Sequence, residues 1–333
     1  MKRVGYLMPK ICHFDNLLEA FLRSAKGKNG KAEVIRFRDR LHENLSEMAV
    51  MLADGSYPFG SYRFFRIHDP KPRLICAARF PDRVAFHAMM RICHPVFDKY
   101  QIDDSYASRI GKGTYKALDR TLSFSRRYQW YVKLDVRKYF DSISHQVMYA
   151  MLERLFKDTI LMNHFSCILD SYQSSFGKGL PIGNLTSQYF ANHYLAFADH
   201  YAKEQLALKG YVRYMDDMLL FGNDKEELLR KANLFEELIT GWLQLELHDR
   251  ECNECNRGIP FLGYVVRPSG LHLRQTSRHR YSMKLRQLTD LWFEGKMTDE
   301  KYRERLQSLT SFTEQADSYR LRLKMNGALG LFP

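Results

Sequence analysis

The segment YVRYMDDMLLF (211–221) constrains the fold more than any other part of this sequence. Apolar residues flank two adjacent carboxylates, Asp216 and Asp217, and the pattern predicts two strands hinged at Met215-Asp216. Tight hairpin turns normally prefer Asn-Gly or Asp-Gly, so paired acids at this position are unusual. A carboxylate enclosed by apolar groups is costly unless it is paired or binds a cation. The turn is therefore a candidate functional site.

A second acid lies in a similar setting. The segment WYVKLDV (130–136) predicts a strand that places Val132, Leu134 and Val136 on one face, with Lys133 and Asp135 on the other. If this strand lies beside the hairpin, three carboxylates cluster. Oxygen ligands of this kind suit Mg²⁺, and two ions about 3.5–4 Å apart can drive nucleotidyl transfer. The alternative is that the Asp pair consists of ordinary turn acids.

The rest of the chain predicts an α+β fold, an antiparallel sheet with helices packed on it and a helical C-terminal lobe. Apolar periodicity predicts helices over 32–53, 81–95, 145–156, 157–174 and 184–206. Strands are predicted at SYRFFRI, PRLICA, FLGYVV and LHLR.

The charge balance favours a polyanionic partner. Lys and Arg number 51 against 38 acids, a formal net charge of +13, and nucleic acid is the usual partner for such an excess; a merely basic protein is the alternative. No apolar run reaches the roughly 18 residues of a membrane span, and the start lacks a signal-peptide core. We expect a cytoplasmic protein without a membrane partner. Cys252 and Cys255 form a CxxC that could be half of a zinc site, but no second CxxC exists.

Several motifs, in the same order and spacing, resemble those of reverse transcriptases: KLDVRKYFDSI resembles motif A, LPIGNLTSQ motif B, YMDD motif C and FLGY the primer grip. The resemblance covers nearly the whole chain. It implies a right-hand polymerase with fingers, a ferredoxin-like palm and a helical thumb. The implied division is an N-terminal helical extension at 1–60, fingers at 61–128 and 145–180, palm at 129–144 and 181–265, and thumb at 266–333.

The resemblance also implies a catalytic centre. Asp135, Asp216 and Asp217 would be the catalytic acids, and the carbonyl of Val136 would also face a metal. The implied cofactor is a pair of Mg²⁺ ions, for which Mn²⁺ can substitute. Asp217 is the weakest ligand candidate, because adjacent strand residues point to opposite faces.

Other positions would bind the nucleotide. Phe140 lies where the family places an aromatic gate against the ribose 2′-hydroxyl, although a core aromatic is the alternative. Ile182 and Gln188 in motif B would contact the dNTP. The stretch KPRLICAARFPDRVAFHAM resembles the triphosphate-gripping fingers region, with Arg73 and Arg83 as first candidates, followed by Arg79 and Lys71.

Two further motifs would contact primer and template. The primer grip would comprise Phe261, Leu262, Gly263 and Tyr264. In YASRIGKGTYKAL, Gly111 and Gly113 would allow close approach to the template. Where the family usually carries a lysine that can protonate pyrophosphate, this chain has Arg250 and Glu251, and arginine is a poor proton donor.

Motif B indicates a subgroup. The IGxxxSQ form, Ile182 to Gln188, is similar to that of reverse transcriptases from diversity-generating retroelements, which copy a template RNA with errors at adenines. Ile182 replaces a hydrogen-bonding amide, and this offers a route to lower discrimination; a simple packing role is the alternative. Expected partners are template RNA, primer and cDNA, dNTPs, and a basic oligomeric accessory protein. The alternatives are a retron-, intron- or phage-defence-type reverse transcriptase, or a non-catalytic RNA-binding scaffold.

Overall fold

A computed structural model describes residues 2–68 and 72–328. The N-terminal part is helical, and its helices pack on one another and on the long helix α5. In chain order the elements of this half are α1 Met8–Ile11, α2 Phe14–Ala25, α3 Ala32–Asp39, α4 Leu41–Asp54, β1 Tyr62–Ile67, β2 Arg73–Ala78, α5 Phe80–Tyr100 and α6 Thr114–Arg127.

The middle of the chain carries the central sheet. Its elements are β3 Trp130–Asp135, α7 Tyr139–Ser142, α8 His145–Glu153, α9 Thr159–Asp170, α10 Leu185–His200, β4 Gly210–Tyr214, β5 Asp217–Gly222, α11 Lys225–Glu237 and β6 Glu251–Glu254. The strands pair antiparallel in the order β4-β5-β3-β6. A strand–helix–strand–strand–helix–strand chain with this order is the ferredoxin-like arrangement.

The two faces of this sheet belong to different cores. Val132 and Leu134 of β3 lie in the larger core, together with residues of α5, α10 and α11. Tyr131 lies in a second core, between the sheet, α6 and a small sheet within residues 259–273. The predicted alternation along 130–136 is confirmed, and it leaves Lys133 and Asp135 on the face of the sheet that carries the second core.

The C-terminal part consists of a small sheet followed by helices. The sheet has β7 Ile259–Phe261, β8 Tyr264–Arg267 and β9 Gly270–Leu273, and the helices are α12 Gln275–Phe293, α13 Asp299–Glu314 and α14 Tyr319–Ala328. A small third core joins α12 to α14 through Tyr281, Leu285 and Met325. Within the described residues, no helix has the length and apolar character needed to cross a membrane.

Three predicted elements were wrong in detail. The helix expected over 32–53 breaks at Arg40, whose φ of −123° and ψ of 43° are not helical. The helix expected to end at Pro95 continues to Tyr100, because α5 accommodates the proline in its interior. FLGYVV is two strands, β7 and β8, joined by a tight turn in which Leu262 and Gly263 both have positive φ.

Candidate active site

Three carboxylates converge at the end of the central sheet. Tyr214 pairs with Asp217 as the last rung of the β4–β5 hairpin, so Met215 and Asp216 form the turn. On the other side of β5, Asp135 is the direct partner of Asp217. Met215 adopts a left-handed φ of 57°, an uncommon conformation for a non-glycine residue. The hairpin therefore presents Asp216 beside Asp135, as the sequence predicts.

The electrostatics of Asp216 indicate a site short of positive charge. The pKa of Asp216 is raised to about 6, by burial first and then by the charges of Asp135 and Asp217, while its own backbone amide and Arg73 oppose the shift. A negative charge on a neighbouring carboxylate disfavours ionisation of Asp216, because like charges repel strongly in a buried, low-dielectric setting. A divalent cation is the natural complement to such a set.

Asp217 already has a cationic neighbour. The Lys133 ammonium lies 3.1 Å from Asp217 Oδ1 and donates to the Pro260 carbonyl at 3.1 Å. Lys133 thus connects the carboxylate cluster to β7, a function that alternation along β3 could have suggested and that sequence reasoning did not assign. The negative charge of Asp217 is therefore partly compensated by Lys133.

In the described part of the chain, no three His, Cys, Asp or Glu side chains are grouped so as to hold a metal on their own. Neither cysteine of the CxxC belongs to such a group: Cys252 lies in β6, and Cys255 is buried in the turn after it. The acids at the hairpin are still suitable for Mg²⁺, which commonly uses one or two carboxylates and takes further ligands from water and phosphate.

Motif A continues from the cluster into the short helix α7. Val136 is buried and bridges to Leu247. Tyr139 is fully enclosed, and its hydroxyl donates to the Ala191 carbonyl of α10. Phe140 is only half-buried, so the core position belongs to Tyr139 and leaves the Phe140 ring partly accessible.

Motif B lies against motif A and against the β1–β2 hairpin, which we call the fingers hairpin after its predicted domain. The Leu180 amide donates to the Phe140 carbonyl at 2.7 Å, and the Cys76 amide donates to the Ile182 carbonyl at 2.8 Å. Gly183 has a φ of 113°, and a Cβ there would lie 3.1 Å from Ile75. Ile182 is half-buried in the turn before α10, whereas Gln188 is exposed in the first turns of that helix.

The fingers arginines occupy different environments. Arg73 is exposed at the start of β2 and close enough to lower the pKa of Asp216. Arg83 instead forms a 2.6 Å ion pair with Glu33 and donates to the Ala78 carbonyl. Arg79 is exposed, 3.5 Å from the buried Asp82. Lys71 lies outside the described residues. The geometry thus ranks Arg73 above Arg83.

The predicted primer and template contacts lie apart from the carboxylates in sequence and form turns. Phe261, Leu262, Gly263 and Tyr264 make the β7–β8 hairpin tip, where both Phe261 and Tyr264 are buried in the second core. Gly111 and Gly113 have φ of 72° and 111°, and a Cβ at either would meet open space. These glycines are needed for backbone conformation.

Sequence reasoning missed Arg213, a fully buried arginine in β4 that forms an ion pair with the fully buried Asp199 of α10 at 2.6 Å. A charged residue inside an apolar strand could have signalled a partner, because buried charges must be paired.

A hairpin bearing carboxylates at the end of a ferredoxin-like sheet resembles the site of nucleotidyl-transferring polymerases. Comparison with known proteins identifies the family. Residues 68–266 match the family described as "Reverse transcriptase (RNA-dependent DNA polymerase)". This is more than half of the chain. The protein belongs to the reverse transcriptase family.

Relatives outside the family match are distant. The chain is 24% identical over 180 residues to the "Putative COX1/OXI3 intron 1 protein" of Saccharomyces cerevisiae (strain ATCC 204508 / S288c), covering 51% of this chain and 22% of that protein. This chain therefore spans about a fifth of the length of that relative.

A solved telomerase structure shares the fold. The structure of Candida tropicalis telomerase with a TWJ fragment of telomeric RNA matches with a TM-score of 0.50 and 12% identity, over 77% of this chain and 53% of that one. A Candida albicans telomerase structure with the same kind of fragment gives a TM-score of 0.47 and 14% identity, over 70% and 51%. The predicted mixed helix-and-sheet, right-hand polymerase fold is confirmed, while the predicted boundaries of fingers, palm and thumb stay predictions.

Proposed function

We propose that this protein is an RNA-directed DNA polymerase that copies a template RNA into cDNA by nucleotidyl transfer at Asp135 and Asp216. The observation that carries the proposal is the strand register. It pairs Asp135 with Asp217 and leaves Asp216 in the adjoining turn, at the open end of the sheet. Membership of the reverse transcriptase family supports the same reaction.

Two divalent ions, Mg²⁺ with Mn²⁺ as a substitute, would be held by Asp135, Asp216 and the backbone carbonyl of Val136. The raised pKa of Asp216, caused by burial and then by its acidic neighbours, fits a group that gains a cation when the site is complete. Bound ions of this kind supply charge stabilisation at the attacking and leaving oxygens. Because Lys133 neutralises Asp217, we assign Asp217 the role of holding the β3–β5 register and the local charge.

The residues around the acids would select a deoxynucleotide. Tyr139 takes the buried position, which leaves the half-buried Phe140 ring free to lie beneath the sugar. An aromatic ring there would exclude the ribose 2′-hydroxyl on steric grounds. Arg73 would contact the triphosphate, because guanidinium groups suit phosphate oxygens. Ile182 and Gln188 would border the nascent pair, and Phe261 to Tyr264 would support the primer.

The basic N-terminal helices would contribute to RNA binding. Between positions 23 and 40 the chain carries seven basic residues and only two acids. Burial lowers the pKa of His87 in α5, and the positive charges of Arg23 and Lys28 lower it further. Positive charge from α2, its following loop and α5 therefore converges on one surface, which is suited to phosphate backbones. Gly111 and Gly113 would allow the template to approach the backbone.

The finer part of the proposal is error-prone copying at template adenines, as in diversity-generating retroelements, with a basic oligomeric accessory protein as partner. The IGxxxSQ motif supports it. A second candidate is an intron-type reverse transcriptase, which is favoured by the similarity to a yeast protein named as an intron product. A near-repeat pair beside the gene, differing mainly at adenines, would favour the first; a gene lying inside an intron would favour the second.

Primer extension tests the activity itself. Purified protein with Mg²⁺, an RNA template, a primer and dNTPs should incorporate nucleotides, and Asp216→Ala should not. Asp119→Ala, at an exposed acid on α6, is the matched control and should retain wild-type incorporation. Failure of the wild type on diverse templates, including the native RNA, would reject the proposal.

A further inference from the structure

The interior of the molecule contains one charged network next to the catalytic turn. Arg213 lies in β4, two residues before Met215, and both it and Asp199 have no exposed surface. Arg213 Nε donates to Asp199 Oδ1 at 2.7 Å, and Nη2 donates to Oδ2 at 2.6 Å. The Tyr211 hydroxyl also donates to Asp199 Oδ1, at 2.7 Å. The carboxylate is therefore fully used by its neighbours, and the guanidinium is locked in one orientation.

The guanidinium also donates to four other residues of the chain. Nη1 donates to the Met215 carbonyl at 3.0 Å and to Asn192 Oδ1 at 2.9 Å. Nη2 donates to Gln101 Oε1 at 3.2 Å and to Ser105 Oγ at 3.1 Å. One side chain thus joins the catalytic turn, helix α10 and the segment after α5.

The contact with Met215 is the one that matters for the site. The Met215 carbonyl and the Asp216 amide belong to the same planar peptide unit, so holding the carbonyl also holds the start of Asp216. Met215 has a φ of 57°, and a non-glycine residue keeps such a conformation only where its surroundings impose it. Arg213 is one of those surroundings, since it binds the carbonyl directly.

We propose that Arg213 is a positioning residue of the nucleotidyl-transfer site: anchored on α10 by Asp199, it holds the Met215–Asp216 peptide so that the Asp216 carboxylate faces Asp135. This inference rests on the proposed function, because it takes Asp216 as a reacting-site acid. The role requires arginine. A lysine ammonium is a single point of charge with three donors and cannot span the Asp199 carboxylate and the Met215 carbonyl with the same fixed geometry.

The test compares Arg213→Lys with Tyr211→Phe in the full chain. Tyr211→Phe removes one hydrogen bond to Asp199 and leaves every Arg213 contact in place, so it is the matched control. Three quantities are measured: primer extension as a function of Mg²⁺ and dNTP, Mn²⁺ binding by electron paramagnetic resonance, and hydrogen exchange of the 211–221 segment. Hydrogen exchange and Mn²⁺ binding do not depend on turnover.

We expect Arg213→Lys to lower kcat about 10- to 100-fold, the scale of a small misplacement of a reacting group. Weaker Mn²⁺ binding, a higher Mg²⁺ requirement and faster exchange at the turn should accompany it, while the KM for dNTP changes less than about twofold. The control should match wild type in all of these. A folded Arg213→Lys protein with wild-type kcat, Mn²⁺ affinity and exchange would overturn the proposal.

A double variant covers a failure to fold. Arg213→Met with Asp199→Leu removes both charges together, and buried ion pairs replaced by apolar residues often leave a stable fold. It should fold and show the same losses as Arg213→Lys. If neither folds while Tyr211→Phe does, the network is a folding element and the positioning role is rejected. If wild type binds Mn²⁺ but never polymerises, the proposed function fails, and the exchange and Mn²⁺ comparisons still decide the role of Arg213.

Discussion

Two antiparallel hairpins of similar length and composition differ in burial in this molecule. In β5 of the β4–β5 hairpin, which carries the proposed catalytic acids, the residues from Met218 to Phe221 are all buried. In β1 of the fingers hairpin, every residue after Tyr62 is exposed, and Phe64 and Phe65 remain 52% and 43% accessible. Both hairpins carry arginine and aromatic residues, so composition alone does not separate them.

This difference in burial indicates which part of the proposed site is held rigid by the fold alone. The β4–β5 hairpin is held by β3, by two cores and by the Arg213 network. The fingers hairpin has few apolar contacts of its own, and such segments have lower local stability. Its exposed rings and arginines are accessible to the incoming nucleotide and template, which are the partners we propose. The acids should therefore control kcat, and the fingers hairpin should control KM.

The largest effect on kcat should come from substituting the acids that pair across β3 and β5, Asp135 and Asp217. We expect Asp135→Asn to lower kcat by at least about 100-fold, the scale of losing one preorganised electrostatic group. Asp217→Asn should cost about tenfold, because Asp217 is paired with Lys133 and a 1.4 kcal/mol loss corresponds to that factor. Single-turnover incorporation measures both. Equal losses would show that Asp217 is a ligand of the same rank.

The two hairpins should also differ in how much a leucine-to-alanine substitution lowers the free energy of unfolding. Leu220→Ala in β5 empties a fully buried position and should lower the free energy of unfolding by about 2–5 kcal/mol. Leu74→Ala in β2, where the side chain is 44% exposed, should change it by less than about 0.5 kcal/mol. Urea unfolding followed by circular dichroism measures the pair. A large loss at Leu74 would mean that the fingers hairpin is held by more than the contacts described.

Sugar selection should depend on the one aromatic side chain that α7 leaves accessible. Phe140→Ala removes the proposed barrier to a ribose 2′-hydroxyl, and we expect rNTP use relative to dNTP use to rise about 10- to 100-fold, the usual range for discriminating one hydroxyl by shape. Competition assays with matched rNTP and dNTP report this ratio, with Tyr139→Phe as the buried control. An unchanged ratio would return Phe140 to a packing role.

Nucleotide affinity should depend on one face of the fingers hairpin. Arg73 pairs with Ile67, whereas Arg66 pairs with Leu74, so the two arginines lie on opposite faces. Arg73→Ala should raise the KM for dNTP about tenfold through loss of a charge-assisted contact, and Arg66→Ala should leave it near the wild-type value. Steady-state kinetics at saturating template provide the comparison. If Arg66→Ala has the larger effect, the hairpin presents its other face to the nucleotide.

The smallest effect concerns fidelity. Ile182→Gln restores a hydrogen-bonding amide at a half-buried turn, and one such bond is worth about 1 kcal/mol. We therefore expect misincorporation opposite template adenine to fall only about fivefold. Sequencing of cDNA copied from a defined RNA measures this. An unchanged error spectrum would remove Ile182 from the account of fidelity.

The sequence predicted local geometry well and partnerships poorly. Alternation identified which residues of β3 share a face, and the YMDD segment identified its turn, because side-chain direction follows a period of two along a strand. The break at Arg40 and the turn at Leu262-Gly263 were missed, since the apolar pattern continues across both. Arg83 ranked equally with Arg73 in the sequence, until the Glu33 ion pair distinguished them.

The acids and the strands that carry them follow from the sequence alone, because strand alternation and the cost of enclosing a carboxylate are local properties of the chain. Family membership follows too, since the motifs occur in a recognisable order. Tertiary structure decided the rest. It assigned Lys133 to Asp217, Glu33 to Arg83, and Arg213 to Asp199 and the Met215 carbonyl. These partners come from different elements, and only folding determines which charges meet.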